Sequence, residues 1–83
     1  MKKYTVEVDG MMCGMCENHV NDAVRNAFEV KKVTSSHSKK ETVIITEYDL
    51  SDEKITKVIE EAGYDVKGIK SEPYKKKGFF GLF

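Results

Sequence analysis

Residues 9–19 read DGMMCGMCENH, a stretch that holds both cysteines of the chain, three of its four methionines and one of its two histidines. It lies between two patterns of different period. Ahead of it Tyr4, Val6 and Val8 alternate with Thr5 and Glu7, the pattern of a half-buried strand. Behind it Val20, Ala23, Val24, Ala27 and Phe28 recur at i, i+3, i+4, i+7 and i+8. That spacing makes one apolar face of a helix from about Met15 to Phe28. Asp9-Gly10 breaks the strand, so the cysteine stretch reads as a strand-to-helix loop.

Working outward, Val30 and Val33 belong to a second short strand, about residues 30–36. The polar run Ser36-His37-Ser38-Lys39-Lys40 reads as a hairpin turn, and β-branched Val43-Ile44-Ile45-Thr46 as the third strand. Ser51 is a good N-cap, and Asp52 and Glu53 complement the dipole of the helix it opens. Ile55, Val58, Ile59 and Ala62 form the stripe of that helix, and Gly63 ends it as a left-handed cap. Tyr64, Val66 and Ile69 begin a fourth strand. The order β-α-β-β-α-β predicts an α+β, ferredoxin-like sandwich, with two helices on one face of a four-stranded antiparallel sheet. The domain is expected over residues 1–70. Pro73 closes the last strand, and residues 71–83, SEPYKKKGFFGLF, form a basic-aromatic tail.

At 83 residues the chain makes one domain with a small core and no deep active-site cavity. A hydrophobic share of 40% suits a globular domain. Fourteen basic residues balance fourteen acidic ones, which argues against nucleic acid as a partner. A base-stacking RNA module would need aromatics on the sheet, and Tyr4 is the lone candidate in the first and third strands. No paired acid and base, Ser-His-Asp set or phosphate-cradling loop is present, so no enzyme activity is expected. The N-terminus MKKYTVEVD lacks the apolar core of a signal peptide, and no run is long enough to span a membrane. A cytoplasmic location follows as the expectation. There thiols stay reduced, and a close cysteine pair reads as metal-binding or redox-active.

Cys13 falls in the loop and Cys16 at the start of the helix, so both sulfurs can address one atom. The helix N-terminus stabilises thiolate. Thiolate serves a soft metal and a redox nucleophile alike, and the loop alone does not choose between them. Ligand softness favours Cu(I), which two sulfurs satisfy. Zn(II) wants four ligands, so a zinc site, still possible here, would need water or a second molecule beside Cys13, Cys16 and His19. Cd(II) and Hg(II) remain chemically reasonable.

The run Gly10-Met11-Met12-Cys13-Gly14-Met15-Cys16 resembles the Gly-Met-x-Cys-x-x-Cys loop of the heavy-metal-associated domain family, which includes bacterial copper chaperones and N-terminal domains of copper-transporting ATPases. Val30–Val33, Val43–Thr46, Tyr48-Asp49 and Glu60-Glu61-Ala62-Gly63-Tyr64-Asp65-Val66 also resemble family segments in order, so the likeness spans about residues 2–70. The resemblance implies that Cys13 and Cys16 are the metal ligands and that Met11 is a buried anchor beneath them. It implies that Tyr64 faces the site, shields the metal and tunes its release. The implied function is a Cu(I) chaperone that transfers its ion by thiolate exchange to a copper-transporting ATPase or another Cys-x-x-Cys domain. The same loop would also serve a sensor.

Three features depart from the family pattern or add to it. Met12 stands where threonine, serine or histidine is common. Phe28-Glu29-Val30 replaces the usual Gly-Val. His19, three residues after Cys16, comes to the same side of the helix and is a candidate third ligand or exchange-assisting group. His37 reads as a turn residue. The tail Lys75–Phe83 combines cationic and aromatic residues that settle at membrane interfaces, with fold-back over the open sheet face, or disorder, as the simpler expectation. The protein is expected to be a monomer, with a metal-bridged dimer as the alternative. The competing function is a glutaredoxin-like thiol-disulfide oxidoreductase. Against it stand the absence of a proline beside the cysteines and the Gly14-Met15 between them.

Overall fold

A computed structural model describes residues 1–73 of the chain. The elements run β1 (Lys2–Asp9), α1 (Gly14–Ala27), β2 (Lys32–Ser36), β3 (Glu41–Thr46), α2 (Asp52–Glu61) and β4 (Asp65–Pro73). The four strands form one sheet in the order β2-β3-β1-β4, and every neighbouring pair is antiparallel. This is the ferredoxin-like βαββαβ arrangement expected from the pattern.

Period-two alternation places Tyr4, Val6 and Val8 on one face of β1. The register sets Tyr4 opposite Ile44 and Val6 opposite Thr42, with Val33 beside Ile44 on the far strand. Val20 and Val24 of α1 and Ile55 and Ile59 of α2 close over that face, and all four are fully buried. Valine and isoleucine make up most of this core, with Tyr4 its one buried aromatic residue among the described residues. Its polar members are paired. Ser35 donates to Asn21 at 2.6 Å and shares a 2.8 Å hydrogen bond with Thr42, while Thr46 donates to the Glu29 carbonyl at 2.9 Å.

Four strand starts differ from the sequence reading. Val30 lies outside β2, because the chain leaves α1 through an extended Phe28 and must bend at Lys31 before it can pair with β3. Lys31 then donates its N–H to Ile45 at 2.7 Å, and Val30 packs half-buried against the core from the connection. Tyr64 lies outside β4. It belongs to the end of α2, as described below. β1 starts at Lys2 and β3 at Glu41, since the ladder extends through polar positions that carry no hydrophobic signal.

β4 continues through Pro73, opposite Lys2. The rest of the expected basic-aromatic tail lies outside the described residues. Among the described residues no helix is long and apolar enough to cross a membrane.

Candidate metal centre

The cysteine loop is built by two local irregularities. Glu7 pairs with Gly68 and Val8 with Val66, so Lys67 is an extra residue and the β1–β4 ladder bulges just before the loop. Gly10 then turns the chain with φ +107°, a left-handed conformation that side chains rarely adopt. Met11 follows and drops into the core at 7% exposure, beside Val8, Val20 and their neighbours. That buried side chain ties down the loop while the next residues stay outside.

Cys13 occupies the N-cap of α1. Its carbonyl accepts the first helical N–H groups, from Cys16 at 3.1 Å and Glu17 at 3.2 Å. Its side chain caps nothing, so the thiol is exposed and uncommitted. Cys16 stands one turn in, half-buried against the core edge. Its thiol lies below the ordinary cysteine range, first because the Met12 backbone N–H bonds the sulfur and next because the Tyr64 hydroxyl does. Met12 and Met15, at 79% and 80% exposure, flank the two sulfurs on the surface.

Tyr64 reaches the loop from the other half of the fold. Gly63, at φ +103°, donates its N–H to the Glu60 carbonyl at 3.0 Å, and the Tyr64 N–H reaches the Ile59 carbonyl at 3.3 Å. This pair of bonds is the Schellman closure of a helix, and it projects the residue after the glycine in a defined direction. The Tyr64 ring comes to rest on Gly10, where a Cβ would lie 3.4 Å from a ring carbon. Its hydroxyl is 3.2 Å from His19 Nδ1, with the two rings edge to face, 5.6 Å between centroids. The phenol is pushed above its ordinary value by its bond to Cys16, then by burial and by the charge of the two cysteines.

Of the residues singled out in the sequence, Cys13, Cys16, Met11, Met12, Tyr64 and His19 all converge on this loop. The His19 ring faces the Tyr64 hydroxyl. Among the described residues no three His, Cys, Asp or Glu side chains gather as a metal-holding group. Two contacts were not read from sequence. Glu17, in the first turn of α1, accepts both the backbone N–H of His37 at 2.7 Å and a ring contact from its Nδ1 at 2.6 Å. Asn21 one turn on holds Ser35. Both tie α1 to the β2–β3 hairpin across sequence gaps with no local signal, although an acid in a first helical turn was itself legible as a dipole partner. A cleft of about 310 Å³ lies near Phe28, Val30, Thr46 and Tyr48. It is at the other end of β1, roughly 25 Å along an eight-residue strand from the loop, and holds neither cysteine.

Two free thiols thus lie on a surface loop, at the start of a helix that packs on an antiparallel sheet. Comparison with known proteins makes this specific. The model of the heavy-metal-associated domain matches residues 5–65, and the chain belongs to that family. It is 36% identical over 64 residues to a mercuric reductase of Lysinibacillus sphaericus, a stretch that is 77% of this chain and 12% of that protein. The chain thus spans only about an eighth of that relative's length. Among solved structures it is similar to a copper-binding domain of HMA7, a P-type ATPase, with TM-score 0.70 and 28% identity over 88% of this chain and 96% of that one. It is also similar to the CopZ metallochaperone, with TM-score 0.69 and 26% identity over 78% of this chain and 98% of the other.

Proposed function

We propose that this protein carries one soft metal ion, Cu(I) in the first instance, on Cys13 and Cys16 and passes it to a partner by thiolate exchange. The observation that carries the reading is the donor set. Two free cysteines share one helix turn, one exposed and one half-buried, with no cluster of three or more His, Cys, Asp or Glu side chains among the described residues. Two sulfurs satisfy Cu(I), whereas a closed zinc site needs four ligands. Similarity to a copper-binding ATPase domain and to a metallochaperone supports copper as cargo.

The exposure of Cys13 supports transfer by ligand exchange. A partner thiolate forms a third sulfur bond to the exposed ion, and one of the two original sulfurs then leaves as thiolate. The ion is then shared between one sulfur of each protein, and a second partner thiolate displaces the remaining original sulfur to leave it two-coordinate on the partner. The partner fitting this chemistry bears its own Cys-x-x-Cys loop, as in an ATPase metal-binding domain. Thiol-disulfide oxidoreduction draws no support from membership of a metal-binding family. A second reading, Hg(II) as cargo, rests on the mercuric reductase relative and on the same two-sulfur preference.

The test is an anaerobic titration of reduced protein with Cu(I) against a chromophoric chelator, with Zn(II) and Hg(II) in parallel. One tight Cu(I) per chain, abolished when both cysteines become serine, is the expected result. Tight Zn(II) with weak Cu(I) would overturn copper, and no metal retention would overturn the carrier reading.

A further inference from the structure

Glu17 is fixed at both ends. Its backbone N–H reaches the Cys13 carbonyl at 3.2 Å and so closes the turn that carries both thiols. Its carboxylate crosses to the β2–β3 hairpin. There one oxygen, Oε2, accepts the His37 backbone N–H at 2.7 Å and faces His37 Nδ1 at 2.6 Å. A carboxylate can only accept, so the ring contact is a hydrogen bond with the proton on Nδ1. The Glu17 side chain is 25% exposed, against 67% for Asp22, which pairs with Arg25 along the same helix. A surface pair of the Asp22 kind contributes little. A carboxylate held by two donors and turned from water is a firmer contact. Asn21, one turn further along α1, accepts from Ser35 at 2.6 Å, and Ser35 shares a bond with Thr42 in the interior. That contact anchors the middle of the helix. The Glu17–His37 contact lies beyond it, at the cysteine end, and both of its residues stand outside the core.

We infer that Glu17 is a positioning residue for the two thiols: with its carboxylate clasped by His37, it holds the Cys13–Cys16 turn in one geometry before metal arrives. The consequence for metal rests on the reading of Cys13 and Cys16 as a Cu(I) pair. Ordering a turn costs conformational entropy. A turn already held loses less on binding, so the clasp tightens the complex. The charge of Glu17 acts the other way. Two thiolates around Cu(I) carry a net negative charge, and a carboxylate nearby repels it. Removing the Glu17 side chain therefore weakens Cu(I) binding where positioning governs and strengthens it where charge governs. The sign of the change decides between them.

Two measurements test this, the first without metal. Amide hydrogen exchange is followed in the reduced, metal-free full chain. In Glu17→Ala the Cys16 and Glu17 amides, which bond to the Cys13 carbonyl, should exchange faster than in the parent, by more than any change in α2. Equal acceleration in both helices, or none at Cys16 and Glu17, would overturn the clasp. The second measurement is Cu(I) affinity in competition with a chromophoric chelator. Glu17→Ala should weaken binding roughly two- to tenfold, the range spanned by one hydrogen bond of ordinary net strength. Glu17→Gln, uncharged but with a carbonyl oxygen for the His37 N–H, should recover most of that loss. His37→Ala removes the ring and keeps the backbone N–H. It should weaken binding less than Glu17→Ala and add nothing in a Glu17→Ala background. Ser51→Ala, which weakens the start of the other helix, should leave affinity unchanged, so that a loss confined to the clasp variants is not one of global stability. Equal or tighter binding by Glu17→Ala, or no recovery in Glu17→Gln, would overturn the positioning role. If the parent holds no Cu(I), the carrier reading fails and the exchange result alone decides the clasp.

Discussion

The two helices of this fold begin in opposite ways. α2 opens with Ser51, whose hydroxyl accepts the Lys54 N–H at 3.3 Å, and with Asp52 and Glu53 in the first turn. These are the features that stabilise a helix start. α1 opens with Cys13 in the same N-cap position, with extended backbone and no side-chain cap. Its one first-turn acid, Glu17, is engaged by His37 on the hairpin. The difference is chemical. A hydroxyl used as a cap is committed to the backbone, whereas a thiol that caps nothing stays free to bind a metal. The chain thus gives up local stability at one helix start and keeps it at the other. The loop before α1 is held by other means: buried Met11, left-handed Gly10 and the Tyr64 ring.

Changes at the two ends should therefore separate stability from metal handling. The largest stability loss is expected from Ile59→Ala. Ile59 is fully buried, and its carbonyl receives the Tyr64 N–H. Removing the side chain should destabilise by about 2–5 kcal/mol, as truncation of a buried isoleucine generally does. Chemical denaturation reads this, and a loss under about 0.5 kcal/mol, the value of an exposed site, would mean that the core is not what supports α2.

Gly10→Ala comes next. It forces a left-handed conformation on a side chain and sets a Cβ 3.4 Å from the Tyr64 ring. Strain of this kind is worth about 1–3 kcal/mol. Unlike Ile59→Ala, it should also displace Tyr64, visible as shifted ring resonances. Ser51→Ala should remove about 1 kcal/mol, the usual value of an N-cap, and leave Cu(I) affinity unchanged. A matching fall in Cu(I) affinity would mean that the two helix starts are coupled.

The smallest effect belongs to Glu17. The His37 backbone N–H, then its side chain, hold this carboxyl below the ordinary glutamate value. A depressed folded-state value means that the charged form favours the fold. The contribution is present above the unfolded value, about 4.3 for glutamate, and disappears as pH falls through the folded one. The stability gap between parent and Glu17→Gln should therefore be steady near neutrality and close on acidification. A gap that widens in acid would contradict the pairing.

The sequence carried the fold where periodicity is strong. β1, both helix stripes, the Ser51 cap and the left-handed Gly63 were all legible because each rests on contacts within a few residues. Val30 and Tyr64 were misplaced for a common reason. Both are apolar residues beside a strand, and only the turn geometry shows that they pack from connections. At the site, the cysteine spacing was readable, whereas the Tyr64–His19 contact joins residues 45 apart and Glu17–His37 residues 20 apart. Neither distance leaves a trace in a single chain's pattern. Their residue types were noticed, but their partners required the fold.

The proposed trade between capping and metal binding at α1 is tested most directly by Cys13→Ser. A serine hydroxyl is smaller and can cap the helix as Ser51 does. Thermal unfolding and Cu(I) titration of the same sample should move in opposite directions. The midpoint should rise by an amount equivalent to roughly 0.5–1 kcal/mol of capping, while tight Cu(I) binding is lost. A variant that is less stable than the parent, or that still binds Cu(I) tightly, would contradict the account.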